Sequence, residues 1–237
     1  MHDPHAWTLD FEALGLVPAL GLAYVLAVRR YRTERWRIAC FAAGLVSILA
    51  VFVTPLHVLA LHYLLSVHLL QNVVLAEWAP LLFVLSIPPA LAATAPRVPP
   101  LPALALWVIN YGFWHMPWLY DTALRHPHPL LHLEHALYFA TGVLLWWPVV
   151  HSRLSSGAKA AYVFAAFALA SPIGLVMALV PEPLYDFYVQ GPGLWGLDPL
   201  TDQQIAGVTM SLTETAVFFA VFAVYVGRFF AEQDAAT

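Results

Sequence analysis

Residues 159–180 read KAAYVFAAFALASPIGLVMALV, and after Lys159 no charged side chain follows until Glu182. An apolar run of this length matches the ~20 residues that a helix needs to cross the hydrocarbon core of a bilayer. The run therefore indicates a transmembrane helix. Comparable runs recur along the chain.

The composition extends this conclusion to the rest of the sequence. Of its 237 residues, 61% are hydrophobic and 10% are charged, and the mean hydropathy is +0.74. Soluble domains carry about 25% charged residues, so a chain this poor in charge must expose most of its surface to lipid. We expect residues 1–237 to form a single transmembrane domain that has the lipid bilayer, and no nucleic acid, as a partner.

The sequence contains one cysteine, Cys40, inside an apolar run. A single thiol excludes a disulfide framework, a CxxC redox pair and a thiolate zinc site. Any bound metal would therefore need His, Met, carboxylate or amide ligands. Residues 1–10 hold no Lys or Arg, so we expect the first apolar run to be an uncleaved span and not a secretory signal.

Apolar runs of suitable length predict an all-α, polytopic membrane helix bundle of about seven transmembrane helices. The third run is long and ends near Pro88, where proline stops a helix. Dividing it would give eight spans, which we consider the weaker interpretation. The predicted spans are 11–28, 37–54, 57–86, 101–118, 129–150, 159–180 and 203–230.

The basic residues predict the orientation of this bundle. Positively charged side chains collect in cytoplasmic loops, and with the N-terminus outside and the C-terminus inside only Arg125 falls on the outer side. An eight-span layout would lose this bias. The nine basic residues on the inner side are Arg29, Arg30, Arg32, Arg35, Arg37, Arg97, Arg153, Lys159 and Arg228.

The histidines lie almost entirely toward the outer face in this layout. His132 and His135 are spaced i, i+3 and share one face of the fifth span. His68 lies within the third span and His115 near the outer end of the fourth. On the seventh span Met210 lies ~10 Å below the helix start, at a depth comparable to His68 and His135. These four helices could form one cavity that opens outward.

Each of these residues also has a structural interpretation. Met210 alone is typical of core packing, and Asp202 could either ligate a metal or cap the seventh helix, where a carboxylate is favoured. Glu77 and Glu134 are intramembrane carboxylates, which suit ion pairs or hydrogen bonds. The other outer histidines are typical of surface or packing positions; they are His2, His5, His57, His62, His126 and His128.

The ligand types do not single out one metal. Neutral imidazole with an optional thioether suits copper in either oxidation state, and imidazole also suits zinc, iron and haem. The lack of thiolates argues against a tight Cu(I) sink. The spacing of His132, Glu134 and His135 does not match the Glu-x-x-His pairs of di-iron bundles.

Several short strings, taken in order, resemble the polytopic CtaG family of cytochrome c oxidase assembly factors. The strings cover nearly the whole chain on a seven-span layout. They are His68-Leu-Leu-Gln71, Trp114-His115-Met-Pro117-Trp-Leu-Tyr120, Leu131-His132-Leu-Glu134-His135, Trp146-Trp147-Pro148, Pro183-Leu-Tyr185 and Pro199-Leu-Thr-Asp202-Gln203-Gln204-Ile-Ala-Gly207, with Met210 following.

The resemblance implies a multi-pass protein of the bacterial inner (cytoplasmic) membrane that matures haem–copper oxidase by helping copper reach an oxidase subunit. It also implies functional roles for the Asp-Gln-Gln element at residues 202–204 and for four histidines, which are His68, His115, His132 and His135. Many members have a second His four residues after the first, where this chain has Asn72, and a Trp where it has Ser211.

We therefore predict a copper-transfer protein, not an enzyme, with a haem–copper oxidase subunit and a copper ion as partners. Zinc or haem is a weaker prediction for the bound group. The alternatives are a haem- or metal-containing membrane oxidoreductase, a transporter, and a metal-free assembly scaffold. The predicted metal ligands are His68, His115, His132, His135, Met210 and Asp202.

Overall fold

The computed structural model describes residues 3–8 and 11–235. Helices account for 80% of the structure, and the described residues form no strand. This confirms the predicted all-α class. His2 lies outside the described residues.

The described chain folds into eleven helices, which we number in chain order. Two of them, α4 and α8, contain a short π-helical segment, at Val74–Trp78 and Pro127–Leu131 respectively. The helices are α1 Phe11–Arg30, α2 Arg35–Phe52, α3 Pro55–His62, α4 Leu65–Ser86, α5 Pro89–Ala92, α6 Pro100–Trp114, α7 Pro117–Arg125, α8 Pro127–His151, α9 Ser156–Leu179, α10 Asp186–Val189 and α11 Pro199–Asp234.

Five of these helices, α2, α4, α8, α9 and α11, are long and apolar enough to cross a membrane. They match five of the seven predicted spans. Helix α1 has 20 residues and α6 has 15, and these two helices coincide with the remaining predicted spans. The count of seven spans and the outside location of the N-terminus stay predictions.

The third predicted span, 57–86, is wrong at its beginning. Helix α3 ends at His62, and the backbone leaves the helical region at Tyr63 and Leu64 before α4 begins at Leu65. Both residues at the break are apolar, so hydropathy alone carries no sign of it. The membrane-length helix is therefore Leu65–Ser86.

The fourth predicted span, 101–118, also ends too late. Helix α6 stops at Trp114 because Pro117 begins α7, and the residue before a proline is disfavoured in helical geometry. His115 is the C-terminal cap of α6, with φ −82° and ψ 0°. The histidine thus lies at a turn between two helices.

Helix α4 packs at the centre of the bundle, where Pro80 shapes it. Proline has no N–H and its ring displaces the carbonyl four residues earlier, which is Ala76 within the π-helical turn. The indole of Trp107 donates to the Ala76 carbonyl oxygen at 3.2 Å, and the indole of Trp146 donates to that of Glu77 at 2.9 Å. Helices α6 and α8 therefore satisfy the backbone that Pro80 disrupts.

Candidate metal-binding site

His68 lies buried near the start of α4, and its tautomer follows from its neighbour. The hydroxyl of Tyr188 donates to the carbonyl oxygen of Ala60 at 2.7 Å. Its single proton is thereby used, so the 2.8 Å contact with His68 requires Nδ1 of His68 to donate. Nε2 then carries a lone pair, and this buried atom has no hydrogen-bond partner among the described residues.

Tyr188 is well suited to keep its proton. It lies in α10, in the connection between α9 and α11, and burial, followed by the neighbouring carboxylates Asp202 and Glu134, raises the pKa of its hydroxyl well above the usual value. A neutral phenol donates only once. The direction of the two hydrogen bonds is therefore fixed.

His115 has the same arrangement on a different element. Its Nδ1 lies 2.7 Å from the carbonyl oxygen of Tyr111, which can only accept, so Nδ1 carries the proton. The hydroxyl of Tyr138 is a more distant neighbour of the same nitrogen, at 3.3 Å. Nε2 of His115 is buried and, within the described part of the chain, has no hydrogen-bond partner.

The rings of His68 and His115 both lie beside Tyr120, and the ring of His135 contacts that of His68. The ring centre of Tyr120 lies 5.1 Å from that of His68 and 6.3 Å from that of His115. The ring centres of His68 and His135 are 6.3 Å apart, and Phe52 contacts His135 at 5.2 Å. Three of the predicted ligands thus lie in one buried cluster linked by ring contacts, which we call the histidine pocket.

The structure places His132 and Met210 differently. His132 is half-buried and hydrogen-bonds through Nε2 to Nδ1 of His128 one turn earlier. Met210 is completely buried in the apolar core of the bundle, as the packing interpretation expects.

Asp202 caps a helix, but not its own. Its Oδ2 accepts from the amide of Leu65 at 2.6 Å, and its Oδ1 accepts from the amide and hydroxyl of Ser66 at 3.3 and 2.5 Å. Asp198 caps α11 instead, accepting from the amides of Leu200 and Thr201. Of the two alternatives given for Asp202, that of capping the seventh helix is therefore wrong, because Asp202 stabilises the positive N-terminal end of α4.

The connection between α9 and α11 covers the histidine pocket and is tied down at two places. Gln203 accepts from the amide of Leu184 at 2.6 Å and donates to the carbonyl of Glu182 at 3.2 Å. Asp121 accepts from the amides of Asp186 and Phe187, each at 3.1 Å. These anchors hold Tyr185 and Tyr188 against the buried histidines.

The sequence did not predict the tyrosines that surround the pocket. Tyr185 donates to the carbonyl of His115 at 3.1 Å and its ring lies 4.5 Å from that of Tyr120. Tyr120 and Tyr185 occur in two of the strings that carry the family resemblance, which is the signal that could have found them. Tyr188 lies outside those strings.

The histidines do not form a preassembled metal centre. Across residues 3–8 and 11–235, no group of three or more His, Cys, Asp or Glu side chains is placed so as to hold a metal ion. Among the buried predicted ligands, His68 and His135 approach each other as a pair, with their ring centres 6.3 Å apart.

Comparison with known proteins decides the family. The profile of the cytochrome c oxidase caa3 assembly factor family (Caa3_CtaG) matches residues 22–232 of the chain. The chain belongs to this family. No curated protein and no solved structure matches it. The resemblance drawn from the motifs is confirmed, and the CtaG assignment makes the protein a membrane-embedded assembly factor of cytochrome c oxidase.

Asn72 is where this CtaG protein departs from the histidine found in many members. Its amide donates to Oε1 of Glu134 at 3.4 Å, and both residues are buried. The pair links α4 to α8 beside His135. The departure thus has a structural role, since Asn72 gives an intramembrane carboxylate a hydrogen-bond donor.

A second polar group lies deeper in the bundle of this CtaG protein. Glu214 on α11 accepts a 2.5 Å hydrogen bond from the hydroxyl of Tyr111 on α6. Glu77, in the π-helical turn of α4, is an electrostatic neighbour of both groups and is fully buried. Of the two carboxylates expected to form ion pairs or hydrogen bonds, Glu134 accepts from Asn72, whereas neither carboxylate oxygen of the buried Glu77 has a hydrogen-bond partner among the described residues.

Proposed function

We propose that this assembly factor holds a copper ion in the histidine pocket and passes it to a subunit of the haem–copper oxidase in the bacterial inner membrane. The observation that carries the proposal is the pair of buried, unprotonated Nε2 atoms on His68 and His115. A buried polar atom without a partner costs about 1–3 kcal/mol. A soft metal cation would supply that partner.

The ligand types agree with copper as cargo. Neutral imidazole binds copper in both oxidation states, whereas the thiolate needed for a tight Cu(I) sink is lacking. Cys40 lies near the start of α2, three turns before Phe52, which contacts His135. A site of imidazoles alone would release its ion readily, as transfer to a partner requires.

The geometry supports a site of two imidazoles. A metal ion bound between two imidazole nitrogens lies about 2 Å from each nitrogen. The distance between the two ring centres is then the sum of these two bonds and of the distance from each nitrogen to the centre of its own ring. The 6.3 Å separation of His68 and His135 suits such a bridge. His115, whose ring centre lies 6.3 Å from that of Tyr120, is the further candidate ligand.

Copper content tests the proposal. Protein purified without chelators is loaded with Cu(I), washed, and assayed by elemental analysis for His68→Ala, His135→Ala and His132→Ala. Losing an outer partner of a ligand already costs about 10–100-fold in metal affinity, so the first two variants should lose at least that much. His132→Ala should lose less copper than either, because His132 hydrogen-bonds to His128 and is not one of the three histidines of the pocket.

The control is His126→Ala, which removes an exposed imidazole from the end of α7. It should retain copper as the unmodified protein does. Equal copper in His68→Ala, His135→Ala and His126→Ala would refute the copper proposal.

A metal-free scaffold is the second candidate, and one observation favours it: the described side chains form no ready-made group of three metal ligands. In that case the histidine pocket would only order the connection that carries Tyr185 and Tyr188. The unmodified protein would then bind no copper, while oxidase assembly would still depend on its presence.

A further inference from the structure

A cavity of about 1030 Å³ lies at the opposite end of the bundle from the histidine pocket. It is bounded by the first turn of α2, the last turn of α8 and the segment 89–100. Helices α2 and α8 run the length of the bundle, and their other ends carry Phe52 and His135. The two regions are therefore separate sites.

Three arginines line this cavity: Arg37, Arg97 and Arg153. His151 also lines the cavity, and its Nε2 lies 2.9 Å from the carbonyl oxygen of Val84. Since a carbonyl only accepts, that imidazole is a donor. The described lining contains no Asp or Glu. The charged side chains that line the cavity are accordingly all positive.

The three arginines are not equally engaged. Arg37 donates through Nη1 to the carbonyls of Leu85 and Ile87 at 2.7 and 3.1 Å and pairs with Glu34 at 3.1 Å, so it is fixed at the end of α4. Arg97 and Arg153 are exposed, and within residues 3–8 and 11–235 they form no ion pair. Two guanidinium groups are thus available to an incoming anion.

Most of the other lining residues are apolar. They include Trp147, Val150 and Leu154 at and just after the end of α8, and prolines of the segment 89–100. A guanidinium pair beside an apolar wall suits a ligand with an anionic head and a hydrocarbon tail. Basic pockets between transmembrane helices are known to hold phospholipid head groups.

We infer that this cavity binds the phosphodiester head group of an anionic phospholipid, with Arg97 and Arg153 on the phosphate and the acyl chain along Trp147 and Val150. Guanidinium groups bind phosphate oxygens with paired, charge-assisted hydrogen bonds. The volume far exceeds that of a free phosphate ion and lies at the upper end of the range for small-molecule sites. The inference stands independently of the copper proposal.

Lipid binding to the full-length protein tests it. Protein delipidated in neutral detergent is titrated with phosphatidylglycerol or phosphatidylcholine and bound lipid is counted by native mass spectrometry. Each arginine at a lipid surface contributes between about fivefold and sixfold in affinity, so the double variant Arg97→Gln with Arg153→Gln should weaken phosphatidylglycerol binding about thirtyfold. Phosphatidylcholine, whose net charge is zero, should bind weakly to both proteins.

The matched control is Arg32→Gln with Arg35→Gln, which removes two exposed charges near α2 that do not line the cavity. This variant should bind phosphatidylglycerol as the unmodified protein does. Equal weakening by both double variants would show a diffuse surface effect and overturn the inference. Displacement of the lipid by millimolar inorganic phosphate would also overturn it, in favour of a free anion as the ligand.

Discussion

At the scale of single residues, the hydroxyl of Tyr188 sets the chemistry of His68. The hydroxyl donates its proton to the carbonyl oxygen of Ala60, so the imidazole of His68 must donate from Nδ1. The backbone carbonyl of Tyr111 acts in the same way on His115. In metal-binding histidines, a hydrogen-bond acceptor at one ring nitrogen fixes the tautomer. Here the acceptors at Nδ1 leave a lone pair on Nε2 of both His68 and His115.

Replacing Tyr188 with phenylalanine tests this arrangement. Tyr188→Phe leaves the Ala60 carbonyl and Nδ1 of His68 without their buried partner, which should destabilise the protein by about 1–3 kcal/mol. The measurement is thermal unfolding in detergent. Tyr31→Phe, at a half-buried position just after α1, is the control, and an equal loss in both variants would contradict the assigned role.

The residue scale is also where prediction from sequence reached its limit. The histidines could be predicted because a polar ring in an apolar run is conspicuous. The partners of these residues could not, because Tyr188 is 120 positions from His68 and Asp202 is 137 positions from Leu65. Contacts at such separations depend on how the helices pack, which hydropathy does not report.

At the scale of elements, α4 connects the two polar regions of the bundle interior. Asp202 caps its N-terminus, His68 and Asn72 lie in its first turns, and Glu77 lies in its π-helical turn. Hydropathy predicted an apolar helix here but not the break at Tyr63, since apolar residues continue through it. Pro80 was the visible signal for the irregular turn, because proline disturbs the preceding turn of a helix.

Close packing of α8 against this turn depends on Gly142. A Cβ at Gly142 would overlap the carbonyl oxygen of Ala76 and lie 2.7 Å from Cγ of Pro80. Gly142→Ala must therefore push α8 away from α4, at a cost of about 1–3 kcal/mol. The measurement is the midpoint of thermal unfolding in detergent.

Gly112→Ala is the matched control for this prediction. Gly112 also lies in a helix, α6, and a Cβ there meets no atom within 4 Å. Alanine is the better helix former by about 1 kcal/mol, so this variant should unfold at the same or a higher temperature. A Gly142→Ala protein as stable as the control would contradict the close approach.

At the scale of the whole molecule, the bundle separates its chemistry between two ends. The histidine pocket lies at the end formed by the first turns of α4, α8 and α11, and the arginine-lined cavity lies at the opposite end. The sequence predicted this separation through its basic residues and its histidines. The positive-inside rule predicts that the arginine-lined end faces the cytoplasm.

Selective labelling of cysteines determines the orientation. In a Cys40→Ala background, which removes the single native thiol, Glu182→Cys and Ala93→Cys place a thiol at exposed positions on the two ends. The positive-inside rule places the loop that contains Ala93 on the cytoplasmic side. A membrane-impermeant maleimide should therefore label Glu182→Cys in intact cells and Ala93→Cys only after permeabilisation. Labelling of Ala93→Cys in intact cells would show that the bundle has the opposite orientation. The histidine pocket would then lie on the cytoplasmic side, away from an external supply of copper.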